Sequence, residues 1–510
     1  MMPASRTPLR LLLSLVLLSA ATGSTLADWV PSQVFTAVEY AEDNSQFGRA
    51  VAADGEWLFI GQPLSSDGGK VHVFRNTGGT WNRTQVISNP AGANGSQFGR
   101  ELDLSGTTAV LGAPAPLANA NARAYIYEES GGTWSLEATL SSVQPARSQS
   151  FASHVATSGD FVLVGDNTAN YNNLSQQGAI DVFRRDGMGG WFNKLLGGVS
   201  PDQVNAGGGV NEKAWIFGND FDIFGEQVLA TARVRNPDLA ADSDQQGLYP
   251  SFNDTSIEGG IFLPYPGGSP APIAPGVPLV AGATYSRPDR IALQNDGKGV
   301  AVVSFLDGSP SPVFVSASFV PVTRAPGGWS FGSPIPLPGS ATSLQAAGSL
   351  ALVLQNEELL VFEETSAWNL LDRFDAPTDV TDALAIVGEA FFIGAATASD
   401  IGIEQGAVHL YLPRVNTKPV VSLKGGKKLS ITGPKAKLSG SVRDDVPGSR
   451  LEATFRDGSR TVKKRIRVAT SGKWNTALSV PPGSTKVTLT ATDSDGAKSR
   501  SVKVKILRRP

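Results

Sequence analysis

Three histidines, two aspartate pairs and one basic run are the residues of this chain with the types and spacing to do chemistry. Histidine carries protons or metals near neutral pH. Asp493-Ser494-Asp495-Gly496 has the opening of a calcium loop, in which alternate carboxylates meet a hard cation at a glycine turn. No glutamate follows at the loop's end, and the segment lies between two strand-like runs, so a hairpin turn is the stronger expectation. Asp242-Ser243-Asp244 with Gly247 is the other approach to that pattern. Calcium at Asp242, Asp244, Asp493 and Asp495 is thus a weak expectation, and no other cofactor is expected. Lys463, Lys464, Arg465 and Arg467 form the densest basic cluster and are candidates for binding a polyanion. On a strand, alternation divides them between two faces. No nucleophile elbow, HExxH, P-loop or Cys-His cluster occurs.

The elements that position these residues come from a repeated phrase. SQFGRAVAADGEWLFIGQP (Ser45 to Pro63) is followed by SQFGRELDLSGTTAVLGAP (Ser96 to Pro114) and more loosely by SQSFASHVATSGDFVLVGD (Ser148 to Asp166). Phe47 to Phe98 is 51 residues and Phe98 to Phe151 is 53. A period of this size filled with short alternating runs implies one small sheet per copy. Each clear copy divides into four strands, with Asp54-Gly55 as a hairpin turn. Small residues (Ala50, Ala52, Ala152, Ala156) fall on the first strand, and Trp81, Trp134 and Trp191 open the fourth. This gradient of size fits sheets that crowd at an axis and diverge outward. One such sheet cannot bury both faces alone, so the copies must stack around that axis as the blades of a β-propeller.

Later copies begin near Phe217, Arg290, Ser343 and Ala383, for a count of seven blades. The seventh lacks a Trp-led outer strand. Asp28-Trp29 to Glu39 has that look, and it is expected to pair beside Gly406 to Leu412 and close the ring, removing the open edge. Two insertions, Arg235 to Glu258 and Pro264 to Arg287, overrun the fourth blade and are candidate binding loops. His72 and His409 share one repeat position with Tyr125 and Asp181, which argues for packing. His154 lies on a first strand, where Ala50 and Glu101 stand in the earlier copies, and could line the axial channel.

The Phe-Gly at Phe47-Gly48 and Phe98-Gly99 and the Gly-Ala-Pro at Gly112-Ala113-Pro114 resemble the FG-GAP repeat, the blade of the integrin α-subunit propeller and of many bacterial exported proteins. The resemblance is strong over about 150 residues and weaker over a further 230 or so. It implies an extracellular recognition or adhesion role. Family blades often carry a D-x-D-x-D-G calcium loop, which the clear copies lack.

Arg6 and Arg10 precede an apolar run, Leu11 to Ala21, and small residues end at Thr25-Leu26-Ala27, the pattern of a secretory signal over residues 1–27. No other segment is apolar enough to span a membrane as a helix, and there is no cysteine. The chain is 41% hydrophobic and 17% charged, with 56 Gly and 33 Pro, a composition of short strands and turns. Its net charge of −3 hides an asymmetry. Val415 to Pro510 holds 22 Lys and Arg against 6 Asp and Glu, a balance of +16; Asp28 to Arg414 holds 19 against 40, a balance of −21. The expected organisation is a signal (1–27), an all-β seven-bladed propeller (28–413), a linker (414–417) and a basic Ig-like sandwich (418–510) resembling bacterial Ig-like and cadherin-like modules. Trp474 is expected in the sandwich core.

The leading expectation is a secreted or cell-surface protein, monomeric and non-catalytic, recognising a protein or glycan with the propeller. The basic tail then meets an anionic surface polymer or docks on the acidic propeller. The alternative is a carbohydrate-active hydrolase or lyase, favoured if acidic residues converge at the axis. A structural envelope component is a third.

Overall fold

A computed structural model of the chain describes residues 29–509, apart from 37–44, 93–95, 115–121, 143–149, 168, 170–177, 187–189, 197–212, 216–219, 226, 237–242, 250–280, 282–284, 296, 308–312, 326–327, 356, 378–382, 397–405, 414–418, 444–449, 470 and 493–497. The described residues are all-β, in many small antiparallel sheets and without a helix. They divide into two compact units, Asp28–Pro413 and Arg414–Pro510.

In the first unit, strand β1 (Trp29–Thr36) precedes seven sheets. Sheet I holds β2 (Val51–Asp54), β3 (Trp57–Gln62), β4 (Lys70–Thr77) and β5 (Thr80–Ser88). Sheet II holds β6 (Glu101–Ser105), β7 (Thr108–Ala113), β8 (Arg123–Ser130) and β9 (Thr133–Leu140). Sheet III holds β10 (His154–Ser158), β11 (Phe161–Asp166), β12 (Ala179–Arg185) and β13 (Trp191–Leu196). Each of these is a meander in chain order. In sheet IV, β16 (Gln227–Asn236) pairs with β14 (Lys213–Trp215), β15 (Phe221–Phe224) and β17 (Ser243–Tyr249). Sheet V holds β18 (Tyr285–Asn295), β19 (Lys298–Asp307), β20 (Val313–Ala325), β21 (Gly328–Phe331) and β22 (Ile335–Leu337). Sheet VI holds β23 (Ser343–Ala347), β24 (Leu350–Gln355), β25 (Glu358–Glu364) and β26 (Trp368–Asp375). Sheet VII joins β27 (Leu384–Val387), β28 (Ala390–Ala395) and β29 (Ala407–Pro413) to β1, in the order β1-β29-β28-β27. Val34 lies opposite His409 and Phe35 opposite Val408. The two ends of the unit therefore share one sheet. The first strands of the sheets also neighbour one another in cyclic order, β2 beside β6 and onward until β27 lies beside β2.

The burial pattern explains the sequence pattern. Second strands β3, β7, β11 and β24 are buried at every position, because sheets cover both faces. Outer strands such as β5 and β9 are exposed at most positions, but their tryptophans are buried. Trp134 meets Trp57 and Phe59 of sheet I edge-on, Trp81 meets Phe392 of sheet VII, and Trp368 meets Phe319 of sheet V. Each thus fills the gap toward the preceding sheet.

The Phe-Gly phrase is a joint between sheets. Phe47 and Phe98 are fully buried, edge-on to His72 and Tyr125. This ring contact explains why an imidazole and a phenol share one repeat position. Gly99 has φ +83°, and its carbonyl lies where a Cβ on Gly61 would stand only 1.9 Å away. A Cβ on Gly48 would stand 2.5 Å from the Ala407 carbonyl, which makes the same joint between sheets I and VII. Both steps need glycine because backbone touches backbone.

One expectation is corrected. Residues 235–258 are not one insertion: Arg235 and Asn236 end β16, and Ser243–Tyr249 forms β17 directly against it. Asp244 stands opposite Arg235 in that ladder, an extended setting rather than the tight turn of a calcium loop. Asp242, and Gly259 to Tyr265, expected as the third strand of this sheet, lie outside the described residues.

In the second unit, a three-stranded sheet, β30 (Val420–Leu423), β32 (Lys435–Arg443) and β35 (Lys473–Ser479), faces a five-stranded one. The latter runs in the order β31 (Lys428–Ile431), β37 (Val502–Arg508), β36 (Gly483–Thr492), β33 (Arg450–Asp457) and β34 (Arg460–Ile466). Trp474, Leu451, Phe455, Val487, Leu489, Val504 and Ile506 form one core between them.

Candidate functional site

The site is built on first strands. In β6, Leu102 and Leu104 face the core shared with sheet I. Alternation turns Glu101, Asp103 and Ser105 the other way, toward β10 of the next sheet. There Asp103 accepts the Thr157 N–H at 2.6 Å and Ser105 accepts the Gly159 N–H at 3.4 Å. The same construction recurs in sheet IV, where Asp220 and Asp222 accept the N–H groups of Ile291 and Leu293 at 2.9 and 2.7 Å. These bonds fix the correspondence between sheets: Asp103 matches Asp222, and Glu101, His154, Asp220 and Arg290 occupy one position in four successive sheets.

That position alternates in charge. His154 Nδ1 lies 3.6 Å from Glu101 Oε2, and Nε2 lies 3.9 Å from Asp220 Oδ1 and 3.0 Å from the Phe221 carbonyl. The imidazole packs edge-on against the Phe221 ring. Arg290 adds positive charge beside Asp220 and bonds the Thr342 carbonyl through Nε at 2.8 Å. The side chains of Glu101 and His154 keep 26% and 28% exposure, and Asp220 keeps 14%, so two of the three are within reach of a solute.

Proton affinities follow from this packing. Burial opposes the charge of His154, but the hydrogen bond to Glu101, the charges of Asp220 and Glu101 and the Phe221 carbonyl outweigh it and hold its pKa at about 9. Burial, reinforced by the charge of Asp222, pushes Asp103 up to about 7 against the pull of the Thr157 and Leu104 N–H groups. Burial pushes Asp222 up to about 6, and it raises Asp220 as well against His154 and Arg290. Near neutral pH the imidazole is cationic and stands between the carboxyl groups of Glu101 and Asp220, and two further carboxyl groups, Asp103 and Asp222, have pKa values raised to about 7 and about 6. Such a set can donate and accept protons at adjacent atoms.

Among the described residues, no three His, Cys, Asp or Glu side chains are arranged to hold a metal ion. Asp493 and Asp495 lie outside the described residues. His72 is buried, bonded through Nε2 to Gln62 at 2.8 Å, and burial with the nearby charges of Arg83 and Lys70 lowers its pKa to about 4. Lys463, Lys464 and Arg465 lie on β34 and Arg467 just beyond it, all exposed. Lys464 shares the parity of Val462 and Ile466 and donates to the Ala477 carbonyl of the other sheet at 2.8 Å. Lys463 and Arg465 point the opposite way, so the run does not make one patch.

Sequence reasoning puts His154 on a first strand that could line an axial channel, but it does not join it to Glu101, Asp220 and Arg290. Counting five residues back from the hairpin glycines Gly106, Gly159 and Gly225 finds Glu101, His154 and Asp220. Arg290 is set back by the bulge between Leu293 and Asn295.

No family model matches the chain, so the FG-GAP resemblance rests on its motifs alone. No curated protein matches either. Solved structures that align with it include an ulvan lyase, a polysaccharide lyase bound to -[GlcA(1-4)Rha3S]-, at 8% identity and a TM-score of 0.38, covering 76% of this chain and 94% of that one. They include the plexin A4 extracellular region, at 8% identity and a TM-score of 0.42, covering 93% and 52%. They also include apo AztD from Citrobacter koseri, at 12% identity and a TM-score of 0.35, covering 88% and 98%. The expectation that the protein is not an enzyme is corrected to an open one: a polysaccharide lyase stands among these structures, and at a TM-score of 0.38 it assigns this chain no activity. No helix of the described residues is long and apolar enough to cross a membrane.

Proposed function

We propose that this chain is a secreted carbohydrate-active protein, exported by the signal at 1–27, in which a seven-bladed β-propeller carries the reactive site and an Ig-like sandwich follows it. The carrying observation is the Glu101–His154–Asp220 constellation on consecutive first strands, two of its members open to solute. Cleavage of a glycosidic bond needs a proton delivered to the leaving oxygen and a base for the attacking water or for an acidic ring hydrogen. His154, cationic at neutral pH, supplies the acid, and Glu101 supplies the base. Asp220 keeps the imidazole charged and oriented.

The test is incubation of the full chain with a panel of neutral and uronate-bearing polysaccharides. New reducing ends without ultraviolet absorbance report hydrolysis, and new ends with the absorbance of an unsaturated uronate report elimination. Glu101→Gln and His154→Asn should abolish either signal while the thermal transition persists. Absence of chain shortening across the panel, with glycan binding unaltered by both variants, would overturn the reading.

A further inference from the structure

The five-stranded sheet of the second unit has an outer face whose composition no fold requirement explains. Cross-strand register sets its rows. Lys428, Lys505 and Lys486 lie side by side on β31, β37 and β36. The next row is Lys503, Thr488, Thr454 and Lys463, and the third is Thr490, Glu452 and Arg465. Arg450 and Arg456 share this face at the two ends of β33, opposite Thr492 and Thr461. All eight cations are exposed. Among the described residues of the face the one carboxylate is Glu452, 3.8 Å from Lys463. Strands stand about 4.8 Å apart, so the three lysines of the first row are immediate neighbours. Like charges directly opposite one another destabilise a sheet, and that cost is relieved when a counter-charge lies over them.

We infer that this face binds a linear acidic polysaccharide, its carboxylate or sulfate groups over the lysine rows. The cations repeat in two directions, across the strands and along β37 from Lys503 to Lys505, as a chain with regularly spaced anions requires. Hydroxyls of Thr454, Thr488 and Thr490 lie between them and can bond sugar hydroxyls. Lys503 also stands at the rim of an open cleft of about 730 Å³, lined by Val420, Val421, Val502, Lys427 and Arg500, where a chain can continue past the sheet edge. The aromatic rings of the unit's core, Phe455 and Trp474, are buried, so the face offers no platform for stacked bases. The inference concerns a different unit from the Glu101–His154 site and does not depend on it.

The test measures binding of the full chain to a polyuronate, a sulfated dextran and neutral dextran across a salt series, with anionic lipid vesicles and duplex DNA as comparators. Binding to the polyuronate or the sulfated dextran should weaken steeply with salt, and neutral dextran should not bind. Lys486→Glu, Lys503→Glu and Lys505→Glu together should weaken it by at least about tenfold, as removal of several ionic contacts does, with an unchanged thermal transition. Lys437→Glu, on the other sheet, should leave it intact. Equal loss with Lys437→Glu, no preference over neutral dextran, or tighter binding to vesicles or DNA than to both acidic polysaccharides would each overturn the inference. Glu101→Gln should leave this binding unchanged even where it stops cleavage.

Discussion

Two joints of the same ring use one backbone plan for different ends. Between sheets I and II, Phe98-Gly99 lies against Gly61, and the contact is backbone on backbone with apolar rings around it. Between sheets II, III and IV, the contact passes through Glu101, His154 and Asp220. The Gly61–Gly99 contact is made by backbone, and the joint's carboxylate stands apart from it, where Asp54 accepts the Gly106 N–H at 2.7 Å. The second holds its strands with charge as well: besides carboxyl-to-backbone bonds such as that from the Thr157 N–H to Asp103, it sets an imidazole between carboxyl groups. The ring therefore tolerates ionisable groups where alanine stands elsewhere, provided each charge has an opposite neighbour or a donor.

The largest expected difference is steric. Gly61→Val places a Cβ 1.9 Å from the Gly99 carbonyl, so the sheets must separate. It should cost more than about 3 kcal/mol, seen as loss of the main thermal transition. A near-normal transition would show that the joint is not tightly closed.

The next difference is electrostatic. His154 has its pKa raised to about 9 in the fold. The stability it contributes is complete below the unfolded histidine value and is lost as pH rises through 9. Thermal stability should fall between pH 7 and 10, by on the order of 1–2 kcal/mol allowing for solvent screening, and His154→Asn should flatten that slope. His72 behaves in the opposite sense. Its pKa is lowered to about 4, so its contribution is present above the unfolded value and lost as pH falls through 4. His72→Gln should flatten the acid limb and leave the alkaline one.

Asp103→Asn is expected to be smaller and of opposite sign. The carboxyl is raised to about 7, so its ionised form is disfavoured in the fold, and that cost grows as pH rises from 4 to 7. The amide keeps an acceptor for the Thr157 N–H. The variant should match the wild type at pH 4 and exceed it by up to about 1 kcal/mol at pH 8, compared by melting temperature at the two values. Smallest of all is Glu56→Gln. Its bond to Arg75 lies in open solvent at 2.7 Å, and no measurable shift in melting temperature is expected.

The repeat was legible because packing around an axis imposes the same demands on every sheet. Trp134 must fill an outer gap, Gly99 must admit a neighbouring backbone, and β7 must be buried throughout, so all three show in the spelling. The Glu101–His154–Asp220 set was not legible as a set. Each residue, taken alone, is an unremarkable polar substitution within its copy, and their meeting depends on the sideways contact of strands more than fifty residues apart. The basic run at Lys463 to Arg467 shows the same limit. Adjacency in sequence puts Lys464 and Lys463 on opposite faces, whereas Lys428, Lys486 and Lys505, distant in sequence, stand in one row.

By itself the sequence determined the all-β class, the period of the sheets and the positions that must be small, aromatic or glycine, because these follow from local alternation and from steric limits that each copy meets alone. Only the tertiary structure decided which charges face which. Coulomb energy depends on distance and burial, and both are set by strands that the fold, rather than the chain, makes neighbours.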